Sequence, residues 1–286
     1  MRAFRYARPG SLEEAVALLD QHGSEAKILA GGTDLLVRIR MGHILPRIVV
    51  DLKRVAALGT GITEIDSVLR FGALTTMSSI LADKRVERHF PALAEAARVV
   101  GSVQIRNRAT LTGNICNASP AADTAPALLV YGATVNLKGR DGRRTVPLSE
   151  FFTGPGKTVL NRGEIVESID LPLPTEPMGA AFGRVTRRWG VDLATVNLSC
   201  VVEKSGKARF AYGAVAPRPV LVEDASGVLS DSAADADEKD AVLRRLISHT
   251  SPRTDVRGGR DYREAMLLVM SRRALISATE RLRAAA

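Results

Sequence analysis

The chain has 286 residues, of which 45% are hydrophobic and 25% are charged. These proportions are typical of a folded globular protein and exclude a disordered, collagen-like or membrane-embedded chain. The length exceeds the usual span of one hydrophobic core, so two or three subdomains are expected. The net charge of +9 favours an anionic cofactor or an acidic protein partner. With only 4% aromatic residues, the chain offers few platforms for stacking nucleic acid, and no nucleic-acid role is expected.

Cysteine and histidine content limits the metal chemistry of the chain. The two cysteines, Cys116 and Cys200, are too few for an iron–sulfur cluster, which normally takes four thiolates. The four histidines lie far apart without metal-ligand spacing, so no metal site is expected. A redox centre would therefore be organic or belong to another chain. The sequence has no apolar run of membrane-spanning length and no signal-peptide core at its start, so a cytoplasmic location is expected.

Residues 1–57 have the pattern of a small α/β unit. Ser11 and Glu14 stand in the positions of a capping box before apolar residues at helical spacing, and Gly23 follows as a helix end. Short apolar runs after Gly23 indicate buried strands. The predicted elements are a helix that begins at residue 12, a strand over 26–30, a helix over 35–41 and a strand over 48–52.

The rest of the chain divides at the proline-rich segment 172–177, which is predicted to be an extended linker. Residues 58–175 are predicted to form a second unit with strands at 68–72, 133–138, 145–146 and 164–171, a helix at 91–100 and a turn at 139–142. Residues 178–286 are predicted to contain a hairpin of strands 195–203 and 207–215, an acidic solvated loop over 231–240, and helices over 237–249 and 261–283.

The loop at residues 30–35 is richer in special residues than a simple turn requires. Gly31 and Gly32 follow a predicted strand, and Thr33 and Asp34 precede a predicted helix. Paired glycines let the backbone approach a ligand closely, and the amides at a helix start form a cradle for anions. The alternative is a tight turn in which Thr33 or Asp34 caps the helix.

A second loop, residues 110–123, combines small hydroxyls, two asparagines, a glycine and the carboxylate of Asp123. Such a stretch can offer amides and hydroxyls to phosphates and a carboxylate to ribose hydroxyls. The alternative is an irregular loop that its own Asn and Ser side chains satisfy. The common nucleotide motifs are incomplete, because G-x-G-x-x-G is missing and Phe151 stands where a P-loop ending at Gly156-Lys157 needs glycine.

Together these loops resemble those of a known family. A-G-G-T-D-L at 30–35 and T-L-T-G-N-I-x-N-A-S-P-A-A-D at 110–123 are similar to the FAD-binding subunit of the molybdenum hydroxylases. That family includes xanthine dehydrogenases, aerobic carbon monoxide dehydrogenases and 4-hydroxybenzoyl-CoA reductase. The resemblance extends to F-x-Y-x-x-P at the start, R-N-x-A-T-L-x-G-N at 106–114 and D-x-R-G-x-x-D-Y-R from Asp255.

The resemblance implies an α+β fold in three parts. Residues 1–57 and 58–175 would be the two α/β subdomains of a vanillyl-alcohol-oxidase (PCMH)-type FAD-binding domain. Residues 178–286 would be a C-terminal α+β domain with an antiparallel sheet and helices. FAD would lie between the first two subdomains and would be held without a covalent bond, which leaves Cys116 as a small packed thiol.

The resemblance also assigns the residues expected to bind FAD. The diphosphate would run along Lys27, Ile28, Leu29, Ala30, Gly31, Gly32, Thr33, Asp34 and Leu35, mostly through backbone amides. The rest of the nucleotide would be lined by Gly101, Thr110, Gly113, Asn114, Cys116 and Asn117. Asp123 would hold sugar or ribityl hydroxyls, and Val166 and Arg184 would lie near the flavin ring, although Val166 is equally compatible with plain core. Residues 187–192 match a segment where the electron acceptor would approach, or form a solvated basic turn.

The function implied by the resemblance is electron transfer, and no side chain is expected to act as acid or base. The chain would take electrons from a small partner subunit with [2Fe–2S] clusters and pass them to NAD, a quinone or another acceptor. A large partner subunit with the molybdenum cofactor would oxidise the substrate, in a heterotrimer or a dimer of heterotrimers. The lack of an inserted cysteine-rich segment disfavours the 4-hydroxybenzoyl-CoA reductase branch. Thr33-Asp34 after the double glycine differs from the pair that is usual in carbon monoxide dehydrogenases and disfavours carbon monoxide as the substrate.

Two other functions stay open from the sequence. A self-contained flavin oxidase of the same fold superfamily would need a base near the flavin, and no His or Tyr constellation suggests one. A non-catalytic nucleotide-binding or assembly module would need no electron partner.

Overall fold

The computed structural model describes residues 2–285. Its first unit is a three-stranded parallel sheet with the strand order β1-β3-β2. The elements are β1 (Arg5–Ala7), α1 (Leu12–His22), β2 (Ala26–Leu29), α2 (Leu35–Arg40) and β3 (Ile48–Asp51). Leu12, Val16 and Leu19 on one face of α1 pack against Ile48 and Val50 of β3. The predicted α/β pattern of this part is confirmed.

The start of α1 shows why this helix begins at the predicted residue. The hydroxyl of Ser11 accepts a hydrogen bond from the Glu14 amide at 3.1 Å. The Glu14 carboxylate accepts from the Gly10 amide at 2.8 Å instead of returning to Ser11, so only half of the predicted capping box forms. Gly23 ends the helix with a φ of 52°, a backbone conformation that favours glycine.

The second unit has a five-stranded antiparallel sheet in the order β4-β5-β10-β6-β7, with a separate β8-β9 hairpin. Its elements are β4 (Ile62–Ile65), β5 (Val68–Gly72), α3 (Met77–Ala82), α4 (Lys84–His89), α5 (Pro91–Arg98), α6 (Val103–Arg106), α7 (Leu111–Cys116), α8 (Thr124–Val130), β6 (Thr134–Gly139), β7 (Gly142–Pro147), α9 (Leu148–Phe151), β8 (Phe152–Gly154), β9 (Lys157–Thr158) and β10 (Ile165–Pro172). Its core joins Phe71, Leu137 and Ile169 of the sheet to Phe90 and Leu93 beside it.

The third unit is a four-stranded antiparallel sheet in the order β11-β12-β13-β14, covered by long helices. Its elements are β11 (Met178–Val185), β12 (Val196–Glu203), β13 (Ala208–Gly213), β14 (Val220–Asp224), α10 (Ala236–Ile247) and α11 (Arg260–Ala285). The mixed helix and sheet architecture with an antiparallel C-terminal sheet confirms the predicted fold class. α10 begins at Ala236, where Asp235 and Glu238 form a capping box, so part of the acidic run predicted as loop is helical.

The predicted hairpin accounts for two of the four strands of the C-terminal sheet, and the other two strands were not predicted. The strand β11 was missed because its sequence, M-G-A-A-F-G-R-V, contains few of the β-branched and aromatic residues that favour strands. Its small residues serve packing: a Cβ on Gly179 would lie 2.6 Å from the Leu282 amide nitrogen of α11 and would overlap the Ala278 carbonyl oxygen. The close approach of α11 therefore decides the composition of β11.

The C-terminal unit and the second unit share buried surface. Ala180, Val201 and Ala211 of the C-terminal sheet belong to the same core as Leu128 of α8. β12 is buried on both faces because α8 packs on one side and α11 on the other. Across the same junction, Glu95 of α5 pairs with Arg281 and accepts a hydrogen bond from the Phe182 amide at 2.9 Å.

The late sequence motif that starts at Asp255 has a structural role. Arg263 is 1% exposed and pairs with Asp255, with 2.6 Å between Nη2 and Oδ1. Its guanidinium also donates to the carbonyl oxygens of Thr195 and Ala214. Arg263 thereby ties the start of α11 to the ends of β12 and β13, the two central strands of the sheet. No helix within residues 2–285 is both long enough and apolar enough to cross a membrane.

Candidate functional site

A cavity of about 430 Å³ lies between the first two units. Three segments form its walls: the β2–α2 loop, the region from α6 to the end of α7, and the start of β10. Most residues predicted to bind a nucleotide line it: Lys27, Ile28, Ala30, Gly31, Gly32, Thr33, Asp34, Leu35, Thr110, Gly113, Asn114, Cys116, Asn117 and Val166. Two loops separated by about 80 residues in the sequence therefore face one space.

The other predicted residues lie around this cavity instead of lining it. The Leu29 side chain packs with Ile39 and Val49 in a small core of its own. Gly101 follows the lining residue Val100 and has a φ of 53°. Asp123 and Arg184 do not line the cavity and are paired with each other behind the wall that α7 forms.

The first loop is held by contact between two backbones. A Cβ on Gly31 would lie 2.9 Å from the Arg108 carbonyl carbon and would overlap the attached oxygen. Only glycine permits this approach. Gly32 has a φ of 79°, which turns the chain from β2 into α2.

The start of α2 has no side-chain cap. Asp34 occupies the N-cap position but accepts no hydrogen bond from the first turn, so the alternative that Asp34 or Thr33 serves only to cap the helix is not supported. The first amides of a helix have no partner within it. Here the Leu36 amide donates to the Gly32 carbonyl oxygen at 3.1 Å, and among the described residues the amides of Thr33, Asp34 and Leu35 have no partner. An anion such as a phosphate could accept from these amides.

The second loop is more regular than predicted, because residues 111–116 form the helix α7. The Thr110 hydroxyl accepts from the Gly113 amide at 3.1 Å, and this cap starts the helix. The Thr112 hydroxyl donates to the Ala73 carbonyl oxygen. These two threonine hydroxyls are thus used within the protein, while Asn114 and Asn117 line the cavity.

The cavity is lined by two positively charged side chains, Lys27 and Arg38, and by one carboxylate, Asp34. Arg38 Nη1 lies 3.8 Å from Asp34 Oδ2, and both side chains are about half exposed, so this ion pair is weak and its groups can reorient toward a ligand. Burial raises the pKa of the Cys116 thiol to about 12. Cys116 is therefore an unreactive thiol, in agreement with a packing role.

The position of Val166 is compatible with both of the roles considered for it. Its side chain is 5% exposed and belongs to the core of the second unit, yet the residue also lines the cavity. The pairing of β10 with β6 shifts register between Val166 and Ser168. Such a bulge re-aims a side chain out of the regular alternation of a strand.

Several lining residues were missed by sequence reasoning. They are Arg38, Ile44, Leu52, Ala73, Val100, Ile105, Ala109, Thr112, Gly156, Leu160 and Ile165. Most are apolar and carry no local signal that separates a cavity wall from a core. Gly156 was considered only as part of an incomplete P-loop, but its amide donates to the Ala118 carbonyl oxygen at 2.9 Å, which closes one end of the wall.

Behind the wall, Asp123 is 8% exposed and lies in a polar network. Arg184 Nη1 donates to Asp123 Oδ2 at 2.9 Å, and Asn197 Nδ2 donates to Oδ1 at 2.9 Å. Burial raises the pKa of Asp123 to about 6, while Arg184 and Asn197 oppose that rise. A carboxylate oxygen can accept more than one hydrogen bond, so Asp123 keeps acceptor capacity.

The segment at residues 187–192 is an exposed loop between β11 and β12. Arg187 Nη2 lies 3.2 Å from Asp192 Oδ1, and Trp189 is fully exposed. The loop is outside the lining of the cavity. Its geometry is that of a basic turn, and its predicted contact with an electron acceptor stays a prediction.

The fold and the cavity are compatible with one class of protein, which binds a phosphorylated nucleotide between two units of mixed helix and sheet. Comparison with known proteins narrows this class. Residues 2–174 match the family described as the FAD binding domain in molybdopterin dehydrogenase, and residues 180–278 match the CO dehydrogenase flavoprotein C-terminal domain.

Relatives align over nearly the whole chain. The carbon monoxide dehydrogenase medium chain of Hydrogenophaga pseudoflava is 36% identical over 97% of this chain and 98% of its own. The xanthine dehydrogenase FAD-binding subunit of Escherichia coli O157:H7 is 32% identical over 96% of this chain and 95% of its own. A solved structure of the Hydrogenophaga carbon monoxide dehydrogenase superposes with a TM-score of 0.90 at 35% identity, covering 98% of both chains.

The chain belongs to the family of FAD-binding domains in molybdopterin dehydrogenases, and it is an FAD-binding medium subunit of the xanthine and carbon monoxide dehydrogenase type. The resemblance seen in the motifs at 30–35 and 110–123 is thereby confirmed. Identities of 36% and 32% to the two branches are close, so overall identity does not decide between them, and the expectation drawn from Thr33-Asp34 stays a prediction.

The contact of Gly31 generates a prediction about FAD binding. Gly31→Ala should force the two loops apart, because the added methyl group overlaps the Arg108 carbonyl group. We expect the dissociation constant for FAD, measured by flavin fluorescence titration, to rise about tenfold or more, which corresponds to about 1.4 kcal/mol. Gly61→Ala is the matched control, since a Cβ there meets open space. An unchanged affinity in Gly31→Ala would show that the loop contact does not shape the site.

The burial of Asp123 generates a prediction about pH. Because its folded pKa of about 6 exceeds the ordinary 3.8, the folded state binds the proton more tightly than the unfolded state does. The contribution of Asp123 to stability is therefore full below pH 3.8 and is lost as the pH rises to 6. Relative to Asp123→Asn, the free energy of unfolding of the apoprotein should fall by about 2 kcal/mol between pH 4 and 7, measured by urea denaturation. A difference that is flat or rises with pH would contradict this.

Proposed function

We propose that this subunit holds FAD non-covalently in the cavity between residues 1–57 and 58–175, accepts electrons from a partner subunit and passes them to an external acceptor such as NAD or a quinone. The observation that carries the proposal is the meeting of the two loops at Gly31 and Arg108, which places a glycine-rich backbone and the residues of α7 around one cavity. The division at 57 and 175, and a separate domain over 178–286, are part of the proposal.

The residues around the cavity fit FAD. The amides of residues 33–35 ahead of α2 and the positive charge of Lys27 and Arg38 suit a diphosphate. Asn114 and Asn117 can both donate and accept hydrogen bonds toward a sugar or a ring edge. The apolar side of the cavity, which includes Val166 and Ile165, suits a flat ring system. The expectation that Asp123 accepts hydrogen bonds from FAD hydroxyls stays a prediction.

FAD supplies the exchange of single electrons and electron pairs when it is bound. The residues of this chain bind it, orient it and exclude water from part of its surface. Of the described residues that line the cavity, Lys27, Asp34, Arg38 and Cys116 carry ionisable side chains. The Cys116 thiol stays protonated, since burial raises its pKa to about 12. A self-contained oxidase needs a base placed over the flavin, and this lining favours electron transfer over that alternative.

We further propose that the chain works in a heterotrimer, or a dimer of heterotrimers, with a large subunit that carries the molybdenum cofactor and a small subunit that carries [2Fe–2S] clusters. Relatives are called medium chains or FAD-binding subunits, names that support an assembly of several chains. Cys116 and Cys200 are both free thiols, and a cytoplasmic location would keep them reduced. The basic net charge of +9 suits docking onto a more acidic partner.

One prediction of the proposed function concerns the identity of the flavin. The purified subunit should be yellow and should release FAD, not FMN, into the supernatant after acid precipitation, because the proposed contacts are all non-covalent. Chromatography of the supernatant distinguishes the two flavins. Flavin that stays with the precipitated polypeptide would show a covalent bond, and a colourless protein that stays colourless with added FAD would favour the assembly-module alternative.

Another prediction of the proposed function concerns the source of the electrons. Mixing the three subunits should restore substrate-dependent bleaching of the flavin absorbance under anaerobic conditions, and omitting the [2Fe–2S] subunit should abolish it. The reason is that this chain has only two cysteines, too few for the electron relay. Bleaching by substrate in the isolated FAD subunit would overturn the proposal and favour the oxidase.

A further inference from the structure

A second cavity, of about 320 Å³, lies at the junction between the second unit and the C-terminal unit. Residues of α5, β11 and α11 line it, and both helices pack against β11. Among residues 2–285, it shares no lining residue with the cavity proposed for FAD. The charged side chains in its lining are those of Glu95, Arg98, Arg273 and Arg281.

Two of these charged side chains are used to close the free edge of the C-terminal sheet. β11 is an edge strand, so its outward backbone groups need partners from outside the sheet. The Glu95 carboxylate accepts a hydrogen bond from the Phe182 amide at 2.9 Å, and Arg281 donates to the Ala180 carbonyl oxygen. Glu95 and Arg281 also form an ion pair with each other. Their charges therefore neutralise each other within the junction.

The other two guanidinium groups have no such partner. Arg98 of α5 and Arg273 of α11 are exposed, and neither makes a hydrogen bond or an ion pair with any residue that the structure describes. Three arginines against one glutamate give the described lining a net charge of +2. Like charges gathered around one cavity repel each other, and a bound anion relieves that repulsion. Ser277, one helical turn after Arg273, adds a hydroxyl to the same lining.

We propose that this cavity binds a small organic molecule that carries a phosphate group. A guanidinium group presents its donors in a planar fork that matches two phosphate oxygens. A phosphate monoester carries close to two negative charges at neutral pH, which matches the net charge of the lining. Val99, Phe182 and Met270 supply apolar contacts for the organic part of the ligand. The volume is in the usual range for small-molecule sites.

Such a ligand would also join two units of the chain. Arg98 belongs to the second unit and Arg273 to the C-terminal unit. A phosphate that accepts from both guanidinium groups binds the assembled junction and not the separated units. The site is independent of the proposed FAD function, because it uses none of the described residues that line the FAD cavity.

Phenyl phosphate is a suitable probe, because it joins a phosphate group to an apolar ring. Titration of the FAD-saturated full chain, followed by ³¹P NMR, should show one saturable site with a dissociation constant of about 1 mM, as expected from two charge-assisted hydrogen bonds. Inorganic phosphate should bind about tenfold more weakly, because it lacks the ring that the apolar residues contact. Bound FAD keeps the probe out of the FAD cavity.

Two variants test whether the arginines form the site. Arg98→Gln and Arg273→Gln should each raise the dissociation constant for phenyl phosphate about tenfold, since each removes one charge-assisted hydrogen bond. Both side chains are exposed, so these substitutions leave the ion pair of Glu95 and Arg281 in place. A failure of FAD binding is seen separately by flavin fluorescence, and it does not change the comparison between each variant and the wild type.

Arg88→Gln on α4 and Arg283→Gln on α11 are the matched controls, because they remove the same charge from exposed arginines outside the described lining. They should bind phenyl phosphate as the wild type does. Equal losses in the controls would reveal general attraction to a basic surface and would overturn the proposal. No binding by the wild type at about 10 mM probe, or wild-type affinity in Arg98→Gln and Arg273→Gln, would also overturn it. Loss of binding in the assembled complex would show that a partner chain covers the cavity, and a small-molecule site would then be wrong.

Discussion

The backbone contact between Gly31 and Arg108 is the constraint on which the proposed FAD site depends. The two loops come from separate α/β units, and a side chain at position 31 would overlap the Arg108 carbonyl group. With the glycine in place, the uncapped start of α2 faces the wall built by α7, and a cavity of about 430 Å³ lies between them. The shape of the site therefore depends more on the close approach of two backbone segments than on particular side chains. This suits a cofactor that supplies its own chemistry.

The C-terminal unit stabilises this arrangement from behind. Arg184 and Asn197, both on its sheet, hold the buried Asp123 at the start of α8. Glu95 and Arg281 make a second polar contact across the same junction, and β12 packs between α8 and α11. Polar groups buried in this way favour one arrangement of the units, because removing any one partner leaves another unsatisfied. The C-terminal unit thus belongs to the structure of the site although it contributes no residue to the described lining.

Elements with strong local signals were predicted well from the sequence. The α1 helix begins after Ser11 because a hydroxyl cap and apolar residues at helical spacing act within a few residues of each other. The strand Val68–Gly72 was predicted with its observed ends. β11 was missed because its small residues are required by the close approach of the α11 backbone, which lies far along the chain. α7 was predicted as loop because Asn, Gly and Thr are poor helix formers, and the Thr110 cap and burial of Leu111 and Ile115 outweigh that preference.

The sequence alone determined the family and the candidate residues, because two motifs with many small and polar residues carry that information in their spacing. It could not determine which of those residues share a cavity, since Arg108 approaches Gly31 only after both units have folded. Nor could it reveal that Asp123 and Arg184, separated by 61 positions, form one buried pair. Local interactions can be predicted from residues that are neighbours in the sequence. Close backbone approach and ion pairing in a low-dielectric interior arise only from the packed tertiary structure.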